Sequence, residues 1–365
     1  MNNTIELLKD LIRIPSYVGN GVDETRVAEF IRAQLTDLPS SWKVEVLPVE
    51  GTRVNIYVSN SEQPETLFTA HIDTVPPSDA WTRDPFIPVE EEGKLYGLGS
   101  VDMKAGVASI LSFLLGPARN TRKPMAALFY VGEEYDFCGM KAFAAQTQIR
   151  PSVVVTPEPT DLQVMRACRG VLECRMVLEG RAAHAAMGRD GVNAIIVAGR
   201  AIETLTQRLA RLPDIGLGIS TVNLAWIRGG LLVAGEIIAR ANVVPPYTEA
   251  VFEIRVARPD VDETFVRSLL VETIEAQSAK LVSLDTSFSV KAMPPSASRP
   301  TFFDQFPDGD AKTTGYFDTQ LLVEARGGAP IVCGPGPSTV AHQADEYVCL
   351  EDVEALEGAL QMFLV

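Results

Sequence analysis

The sequence predicts an α/β protein built from two parts, and three observations lead to this prediction. Short apolar runs alternate with helical segments in residues 1–169, which is typical of strands buried on both faces of an α/β sheet. Residues 170–292 instead follow the order strand, helix, strand, strand, helix, strand, which is that of a ferredoxin-like unit. The earlier pattern returns in residues 293–365. We therefore expect residues 1–169 and 293–365 to form one domain, into which residues 170–292 are inserted.

The first part opens with a pair of amphipathic helices within residues 4–35, separated by a turn-rich segment. The apolar runs that predict strands are residues 54–58, 67–70, 125–131, 153–155 and 330–332. Helices are predicted at residues 103–115 and 140–146. Because open α/β sheets bind ligands where their strands end, we expect functional residues at these positions.

The inserted part contains four predicted strands and two predicted helices. The strands are residues 172–178, 220–226, 248–256 and 281–290. The helices, residues 193–209 and 261–276, separate the first strand from the second and the third from the fourth.

The composition excludes several classes of protein. Hydrophobic residues make up 46% of the 365 residues and charged residues 22%, which is the balance of a folded globular protein. The 47 acidic residues outnumber the 32 Lys and Arg residues, and the net charge of −15 repels nucleic acid phosphates and anionic membrane surfaces. The most apolar window, residues 106–115, is far shorter than the ~20 residues of a membrane helix. We predict neither a nucleic acid partner nor a membrane partner.

The cysteines and the N-terminus favour a cytoplasmic location. The five cysteines form no CxxC pair, and an odd number fits a disulfide framework poorly. The first residues lack the basic-then-apolar order of a secretory signal. We therefore expect reduced thiols and a cytoplasmic protein.

The chain has only three histidines, and the first follows a predicted strand. His71 comes directly after the apolar run 67–70 and two residues before Asp73. On an extended backbone these two side chains point the same way, so the carboxylate can orient the imidazole. A histidine satisfied within the core is the alternative interpretation.

Asp102 lies between glycines, in the sequence Gly-Leu-Gly-Ser-Val-Asp-Met-Lys-Ala-Gly at residues 97–106. Glycine lets the backbone turn tightly beside a bound ion. The segment is not a dinucleotide fingerprint, because Asp102 occupies the sixth position of GxGxxG, where a carboxylate repels pyrophosphate. A helix N-cap is the alternative role for Asp102.

Carboxylates also follow two other predicted strands. Glu133 and Glu134 follow the run 125–131, and Glu158 lies just beyond the run 153–155. Burying adjacent anions is costly, so cations must compensate or one carboxyl must be protonated. An exposed acidic loop is the alternative for the adjacent pair.

His342 follows the rigid loop Gly-Pro-Gly-Pro at residues 334–337. Proline has no backbone donor, so this loop is poorly suited to phosphate but can present a side chain. Imidazole together with carboxylates is the ligand set of a hydrolytic zinc, cobalt or manganese site, whereas oxygen ligands alone indicate magnesium or calcium.

Five motifs cover almost the whole chain in order. They are His71-Ile-Asp73-Thr-Val-Pro-Pro, Gly99-Ser-Val-Asp102-Met-Lys-Ala-Gly106, Glu133-Glu134, Glu158-Pro-Thr and Ala341-His342-Gln-Ala-Asp-Glu346-Tyr-Val. In these motifs the sequence resembles the metallopeptidase family that includes acetylornithine deacetylase, succinyl-diaminopimelate desuccinylase, aminoacylase and glutamate carboxypeptidase, and it resembles acetylornithine deacetylase most. The resemblance implies a zinc-peptidase-like catalytic domain with a mixed sheet flanked by helices.

The same resemblance implies a pair of divalent metal ions, with Zn²⁺ preferred and Co²⁺ or Mn²⁺ as alternatives. Asp102 would bridge the two ions. His71 and Glu158 would bind one ion, and Glu134 and His342 would bind the other.

The remaining roles implied by the resemblance concern catalysis and the inserted part. Glu133 would be the general base and Asp73 would orient His71. The inserted part would be a lid and dimerisation domain of a homodimer, whose His184 reaches the partner's site and stabilises the oxyanion. The residues that match substrate-carboxylate positions of relatives are Arg169, Asn242 and Arg255.

We predict a metallohydrolase that cleaves the amide bond of a small N-acyl amino acid, with N-acetylornithine-type deacetylation as the first choice. Desuccinylation of succinyl-diaminopimelate and dipeptidase or carboxypeptidase hydrolysis are alternatives on the same scaffold. A non-catalytic protein that binds metal or ligand is an alternative of another class. The sequence contains no GxSxG elbow, which disfavours a serine hydrolase.

Overall fold

The structure is a computed structural model that describes residues 3–312 and 315–365. The chain divides into two compact units. Unit 1 comprises Met1–Arg166, Ser296–Asp310 and Phe317–Val365, and unit 2 comprises Ala167–Pro295 and Ala311–Tyr316.

The boundaries of unit 2 differ from those of the predicted insertion at 170–292. Cys168 and Met293 exchange two backbone hydrogen bonds, of 3.0 and 2.9 Å, so the strand pairing continues past both predicted junctions. Ala311–Tyr316, which the sequence analysis assigns to the first domain, groups with unit 2. An ion pair of 3.2 Å between Lys312 and Asp214 helps to hold this segment there.

The helices and strands are numbered in chain order. The strands are β1 (Lys43–Glu50), β2 (Arg53–Ser59), β3 (Thr66–His71), β4 (Val89–Glu91), β5 (Lys94–Tyr96), β6 (Met125–Tyr130), β7 (Val153–Pro159), β8 (Gly170–Glu179), β9 (Thr221–Val233), β10 (Glu236–Ile238), β11 (Tyr247–Val256), β12 (Lys280–Val290), β13 (Ala329–Gly334) and β14 (Tyr347–Cys349). The α-helices are α1 (Asn3–Ile12), α2 (Thr25–Gln34), α3 (Ala105–Leu115), α4 (Cys138–Gln146), α5 (Ala194–Ala210), α6 (Glu263–Glu275), α7 (Thr319–Arg326) and α8 (Leu350–Met362).

Unit 1 is built around a six-stranded mixed sheet in the order β1-β2-β6-β3-β7-β13. Strands β6, β3, β7 and β13 run parallel, whereas β1 and β2 pair antiparallel. Phe68 of β3 packs against Phe113 of α3, and the next residue, Thr69, contacts Thr319 of α7. Since successive strand residues point to opposite faces, α3 and α7 cover opposite faces of the sheet. The predicted mixed sheet flanked by helices is confirmed.

A small three-stranded sheet in unit 1 brings together two distant parts of the chain. Its order is β14-β5-β4, and Tyr347 of β14 pairs with Tyr96 of β5. The segment that carries His342 ends at β14, and the glycine-rich segment 97–106 begins just after β5. This pairing therefore places the two segments side by side, and the 3.1 Å hydrogen bond from the Gly97 N–H to the Glu346 carbonyl continues it.

Unit 2 is a layer of two long helices on an antiparallel sheet in the order β10-β9-β11-β8-β12. Apart from the short β10, its elements follow the predicted βαββαβ order. The apolar faces of α5 and α6 form a separate core with the sheet. Within the described ranges, no helix of either unit combines the length and the apolar character that crossing a membrane requires.

Candidate metal centre

Four of the predicted functional residues lie where three neighbouring strands end. His71 is the last residue of β3, Glu133 and Glu134 follow β6 after Val131 and Gly132, and Glu158 is the penultimate residue of β7. Because β6, β3 and β7 are parallel neighbours, their carboxyl ends meet at one edge of the sheet. This is the position at which open α/β sheets bind ligands.

Asp102 lies between two histidines that are far apart in sequence. Its Oδ1 is 3.1 Å from His71 Nε2, and its Oδ2 is 3.3 Å from His342 Nε2. Each oxygen of one carboxylate thus faces a different imidazole, which is the arrangement expected of a bridging ligand.

Two further carboxylates flank this arrangement. Glu158 Oε1 lies 3.5 Å from His71 Nε2, and Glu134 Oε1 lies 2.8 Å from His342 Nε2. Ligand atoms of His71, Asp102 and Glu134 all lie within 4.8 Å of one another. The structure therefore brings together all five residues predicted as metal ligands.

The loop that carries Asp102 is held by Glu346, a residue to which the sequence analysis gives no role. Its carboxylate is 2% exposed and accepts backbone N–H groups from Gly99, Val101 and Asp102 at 2.9–3.1 Å. The signal that could have revealed it is its place in the His342 motif, four residues after His342.

Asp73 supports the site in two ways. Its carboxylate accepts the backbone N–H groups of Glu133 at 3.1 Å and Glu134 at 2.8 Å. His71 Nδ1 lies 3.1 Å from the Asp73 backbone carbonyl and 3.4 Å from its carboxylate. Asp73 therefore lies beside His71 as predicted, but its carboxylate also positions the Glu133–Glu134 turn, which the sequence analysis does not anticipate.

The turn before Glu133 requires glycine. Gly132 has a φ of +80°, and a Cβ there would meet atoms of Arg53, Asp136 and Cys138 at 2.8 Å. The guanidinium of Arg53 is itself fixed by a buried ion pair of 2.6 Å with Glu24. The tight turn at Gly132, which packs against the fixed guanidinium of Arg53, therefore positions the adjacent carboxylates of Glu133 and Glu134.

The charges of the site are unbalanced without added cations. Burial raises the pKa of Glu133, Glu134 and Glu158 above the ordinary range. Hydrogen bonds to Asp102 and Glu134 raise the pKa of His342 to about 10. Within the described residues, the ion pairs of Asp102, Glu134 and Glu158 involve only histidine.

The residues present fit a pair of divalent metal ions. Two imidazoles and three carboxylates converge, which is the ligand chemistry of hydrolytic zinc, cobalt or manganese sites. A metal competes with a proton for the same imidazole nitrogen, so ions bound here would replace the histidine protons and balance the excess of carboxylate charge.

In unit 2, His184 and Asn242 lie together. His184 pairs with Val243 in an isolated bridge, and the Ala185 N–H donates to the Asn242 carbonyl at 2.9 Å. The Ala186 N–H donates to His184 Nδ1 at 3.2 Å. In the neutral imidazole this leaves the proton on Nε2, where it is available as a donor.

Arg169 and Arg255 lie at the other end of the same sheet. Arg169 donates to the backbone carbonyls of Ile219 and Arg255, and Arg255 pairs with Glu253 at 2.7 Å. The ring of Tyr316 lies 5.1 Å below the Arg255 guanidinium.

The predicted substrate-binding residues therefore do not form one group within unit 2. Strand β11 runs from Tyr247, near Asn242, to the end that carries Arg255. At about 3.4 Å per residue, Tyr247 and Arg255 are roughly 27 Å apart. The structure brings His184 together with Asn242 and Arg169 together with Arg255, but it keeps the two pairs apart.

Comparisons with known proteins identify the family. The profile described as Peptidase family M20/M25/M40 matches residues 67–364. The chain belongs to this family. The predicted resemblance is thereby confirmed, and the protein is a metallohydrolase that acts on amide bonds.

The relatives carry more than one activity in their names. A probable carboxypeptidase of Aspergillus clavatus is 33% identical over 98% of this chain and 86% of its own length. An acetylornithine deacetylase of Pectobacterium carotovorum is 31% identical over 94% of this chain and 92% of its own length. Among solved structures, the YXEP protein of Bacillus subtilis, described as a dinuclear metal binding peptidase, has a TM-score of 0.65 at 17% identity over 99% of this chain and 95% of that one.

Proposed function

We propose that this M20-family hydrolase holds two divalent ions through His71, Asp102, Glu134, Glu158 and His342. The observation that carries the proposal is the Asp102 carboxylate, whose oxygens lie 3.1 Å from His71 and 3.3 Å from His342. Asp102 is then the shared ligand. Apart from Asp102, the carboxylate that faces Nε2 of His71 is Glu158 and the one that faces Nε2 of His342 is Glu134, which supports placing Glu158 on the same ion as His71 and Glu134 on the same ion as His342. Zn²⁺ is the preferred ion, with Co²⁺ or Mn²⁺ as alternatives.

Glu133 is the proposed general base. When bound, two divalent cations supply Lewis-acid activation of water and of the amide carbonyl. The Glu133 carboxylate takes a proton from the attacking water and returns it to the leaving amine. Its neighbour Glu134 faces His342 at 2.8 Å, so the two adjacent carboxylates have different roles. Asp73 keeps both in place through their backbone N–H groups.

His184 is the proposed donor to the developing oxyanion. Its Nδ1 accepts from Ala186, which leaves Nε2–H free to donate to a substrate oxygen. Asn242 lies beside it. Since Arg169 and Arg255 lie at the far end of the sheet, one copy of unit 2 cannot bring both pairs to one small substrate. We propose that the protein is a homodimer in which the two pairs serve different sites.

The proposed substrate is a small N-acyl amino acid, with N-acetylornithine first. Its free carboxylate suits the cationic pair of Arg169 and Arg255, because guanidinium groups bind carboxylates with charge-assisted hydrogen bonds. The 31% identity to an acetylornithine deacetylase over nearly the whole chain supports this choice.

Carboxypeptidase activity is the second candidate, and the 33% identity to a probable carboxypeptidase favours it. Its substrates also carry a free carboxylate next to the scissile amide. Desuccinylation of succinyl-diaminopimelate and dipeptide hydrolysis share this requirement. Carboxylate binding by Arg169 and Arg255 therefore fits all of these substrates. The part of the substrate on the acyl side of the scissile amide must distinguish them.

Turnover by the Zn²⁺-loaded protein tests the proposal. The substrates are N-acetylornithine, N-succinyl-diaminopimelate, a dipeptide and an N-blocked dipeptide, each with its carboxyl-amidated analogue as a control. Glu133→Gln is expected to lower kcat by about 10²–10⁴-fold while retaining the metal content of the wild type. Glu65→Gln, at an exposed glutamate of unit 1, is the matched control and should change neither.

The turnover rates of the four substrates distinguish the candidate activities. Fastest turnover of N-acetylornithine supports the first choice, and fastest turnover of the N-blocked dipeptide supports the carboxypeptidase. Inactivity on all four substrates overturns the substrate proposal. A Glu133→Gln variant with wild-type turnover overturns the assignment of the base.

A further inference from the structure

Asp318 is a buried carboxylate that the proposed ligand set leaves out. It lies in the stretch 313–320, whose first two residues fall outside the described part of the chain, and it directly precedes α7 at 1% exposure. Its Oδ1 accepts a 2.7 Å hydrogen bond from the Tyr130 hydroxyl. Its Oδ2 is buried and has no hydrogen-bond partner within the described residues. Burying a charged oxygen without a partner costs free energy, so nearby positive charge is needed to offset it.

Tyr130 connects this carboxylate to a proposed metal ligand. Tyr130 is the last residue of β6 and the register partner of His71 on the parallel strand β3. The two side chains therefore lie on the same face of the sheet. Their ring centroids are 6.4 Å apart at an interplanar angle of 65°, which is an edge-to-face contact. The imidazole thus packs against a ring whose hydroxyl is anchored by Asp318.

A second connection runs from the start of α7 to the strands that carry two proposed ligands. The hydroxyls of Thr69, Thr156 and Thr319 are buried, and they lie 2.7, 2.8 and 3.3 Å apart. Thr69 lies two residues before His71, and Thr156 lies two residues before Glu158. Each threonine therefore points to the same face as the ligand that follows it. The start of α7 is tied to this polar layer beneath the site.

The charge of Asp318 also acts on the site. Burial raises the pKa of Glu133, and Asp318 raises it further, against the opposing effect of His71. Asp318 likewise adds to the effect of burial on Glu158. Negative charge that acts on both groups also favours the binding of cations at this site.

We infer that Asp318 is a positioning residue of the metal centre, which holds His71 through Tyr130 and contributes negative charge beneath the cations. This inference rests on the proposed function, since it requires that His71 bind metal. Removing the charge should weaken metal binding, because groups that orient a metal ligand typically contribute about 10–100-fold to affinity.

A purely structural role predicts a different outcome. Asp318→Asn retains the shape of the side chain and removes a buried carboxylate whose Oδ2 has no hydrogen-bond partner within the described residues. Replacing it should therefore leave the melting temperature of the metal-free protein unchanged or raise it, while the affinity for metal falls. A structural role predicts a lower melting temperature of the metal-free protein and an unchanged affinity of the folded protein.

The test measures Zn²⁺ affinity by competition with a chromophoric chelator, and the visible absorption of the Co²⁺-loaded protein reports the geometry of the ligands. The variants are Asp318→Asn, Tyr130→Phe and the double variant. Tyr57→Phe is the matched control, because Tyr57 is a buried tyrosine of β2 that packs against Phe143 away from the site. His71→Ala tests the metal centre itself.

We expect Asp318→Asn and Tyr130→Phe each to weaken Zn²⁺ binding by about 10-fold or more. Their effects should be less than additive, because both act through one hydrogen bond. Tyr57→Phe should leave affinity and spectrum unchanged. If His71→Ala weakens binding and Asp318→Asn does not, the inference is overturned and the metal centre stands. If His71→Ala has no effect, the proposed metal centre fails as well.

Discussion

Glu346 accepts the backbone N–H of Asp102 at 3.1 Å, although the two residues are 244 positions apart in the sequence. The residue that carries both histidine contacts is therefore fixed by a carboxylate from the opposite end of the chain. This contact is possible because β14 and β5 pair, which brings the segment after residue 342 beside the segment before residue 102.

Glu346→Gln is expected to weaken metal binding and to destabilise unit 1. An amide replaces one acceptor oxygen with a donor, so a backbone N–H of the loop loses its partner, at a cost of about 1–3 kcal/mol. Chelator competition and thermal unfolding measure the two effects. Asp345→Asn is the control, because Asp345 binds the Thr82 and Arg83 N–H groups of a different loop. Equal losses in the two variants would contradict a specific role for Glu346.

Asp73→Asn is expected to lower both activity and metal affinity. The Asp73 carboxylate accepts two N–H groups from the Glu133–Glu134 turn and lies 3.4 Å from His71 Nδ1. An amide can replace only one of these acceptors, so we expect a loss of about 10–100-fold. Steady-state kinetics at saturating and at limiting Zn²⁺ separate the two effects. Full activity at saturating Zn²⁺ would limit Asp73 to the orientation of His71.

The proposed ligands could be predicted from the sequence because each lies at a recognisable local feature. His71 and Glu158 end apolar runs, and such runs reliably become buried parallel strands. His342 and Asp102 stand in glycine- and proline-rich segments, where a side chain is presented from a turn.

The roles of Glu346 and Asp318 could not be predicted, because no local pattern in the sequence shows which groups their carboxylates contact. Glu346 and Asp318 act through contacts formed only after distant strands pair. Strand β1 is also not among the predicted strands, because it carries Pro48 together with Lys43 and Glu45. These are features of an edge strand, where the need to bury both faces is absent.

Removal of metal is expected to destabilise unit 1 and to leave unit 2 unchanged. All five proposed ligands belong to unit 1, and at a metal concentration 1,000 times Kd binding contributes about 4 kcal/mol. Hydrogen exchange with and without EDTA is the measurement. The end of β3 and the loop around Asp102 should lose protection, and added Zn²⁺ should restore it. Equal loss in β8 and β11 would contradict a site confined to unit 1.

Arg255→Met is expected to raise KM for substrates with a free carboxylate by roughly 10- to 100-fold, the value of a charge-assisted hydrogen bond. The carboxyl-amidated analogues lack the charge and should show no further loss. Arg228→Met is the matched control, because Arg228 is an arginine of the same sheet that pairs with Glu249. The role fails if the amidated and the free substrates lose the same factor.

His184→Asn is expected to lower kcat by about 10²–10³-fold, as for other lost oxyanion donors. The asparagine side chain has no donor at the position of Nε2–H. The proton of the neutral imidazole is placed on Nε2 because Nδ1 accepts a hydrogen bond from the Ala186 N–H. Metal content should not change, because His184 lies in unit 2, whereas all five proposed ligands lie in unit 1. A wild-type kcat would remove His184 from the mechanism.

Mixing His184→Asn with Glu133→Gln tests whether two subunits share a site. If His184 serves the partner's site, a mixed dimer has one complete site, with Glu133 from one subunit and His184 from the other. Random exchange of subunits in a symmetric dimer should then restore about one quarter of wild-type activity. If both residues serve the site of their own chain, every site in the mixture lacks one of them. No activity would then return, and the homodimer proposal would lose its catalytic basis.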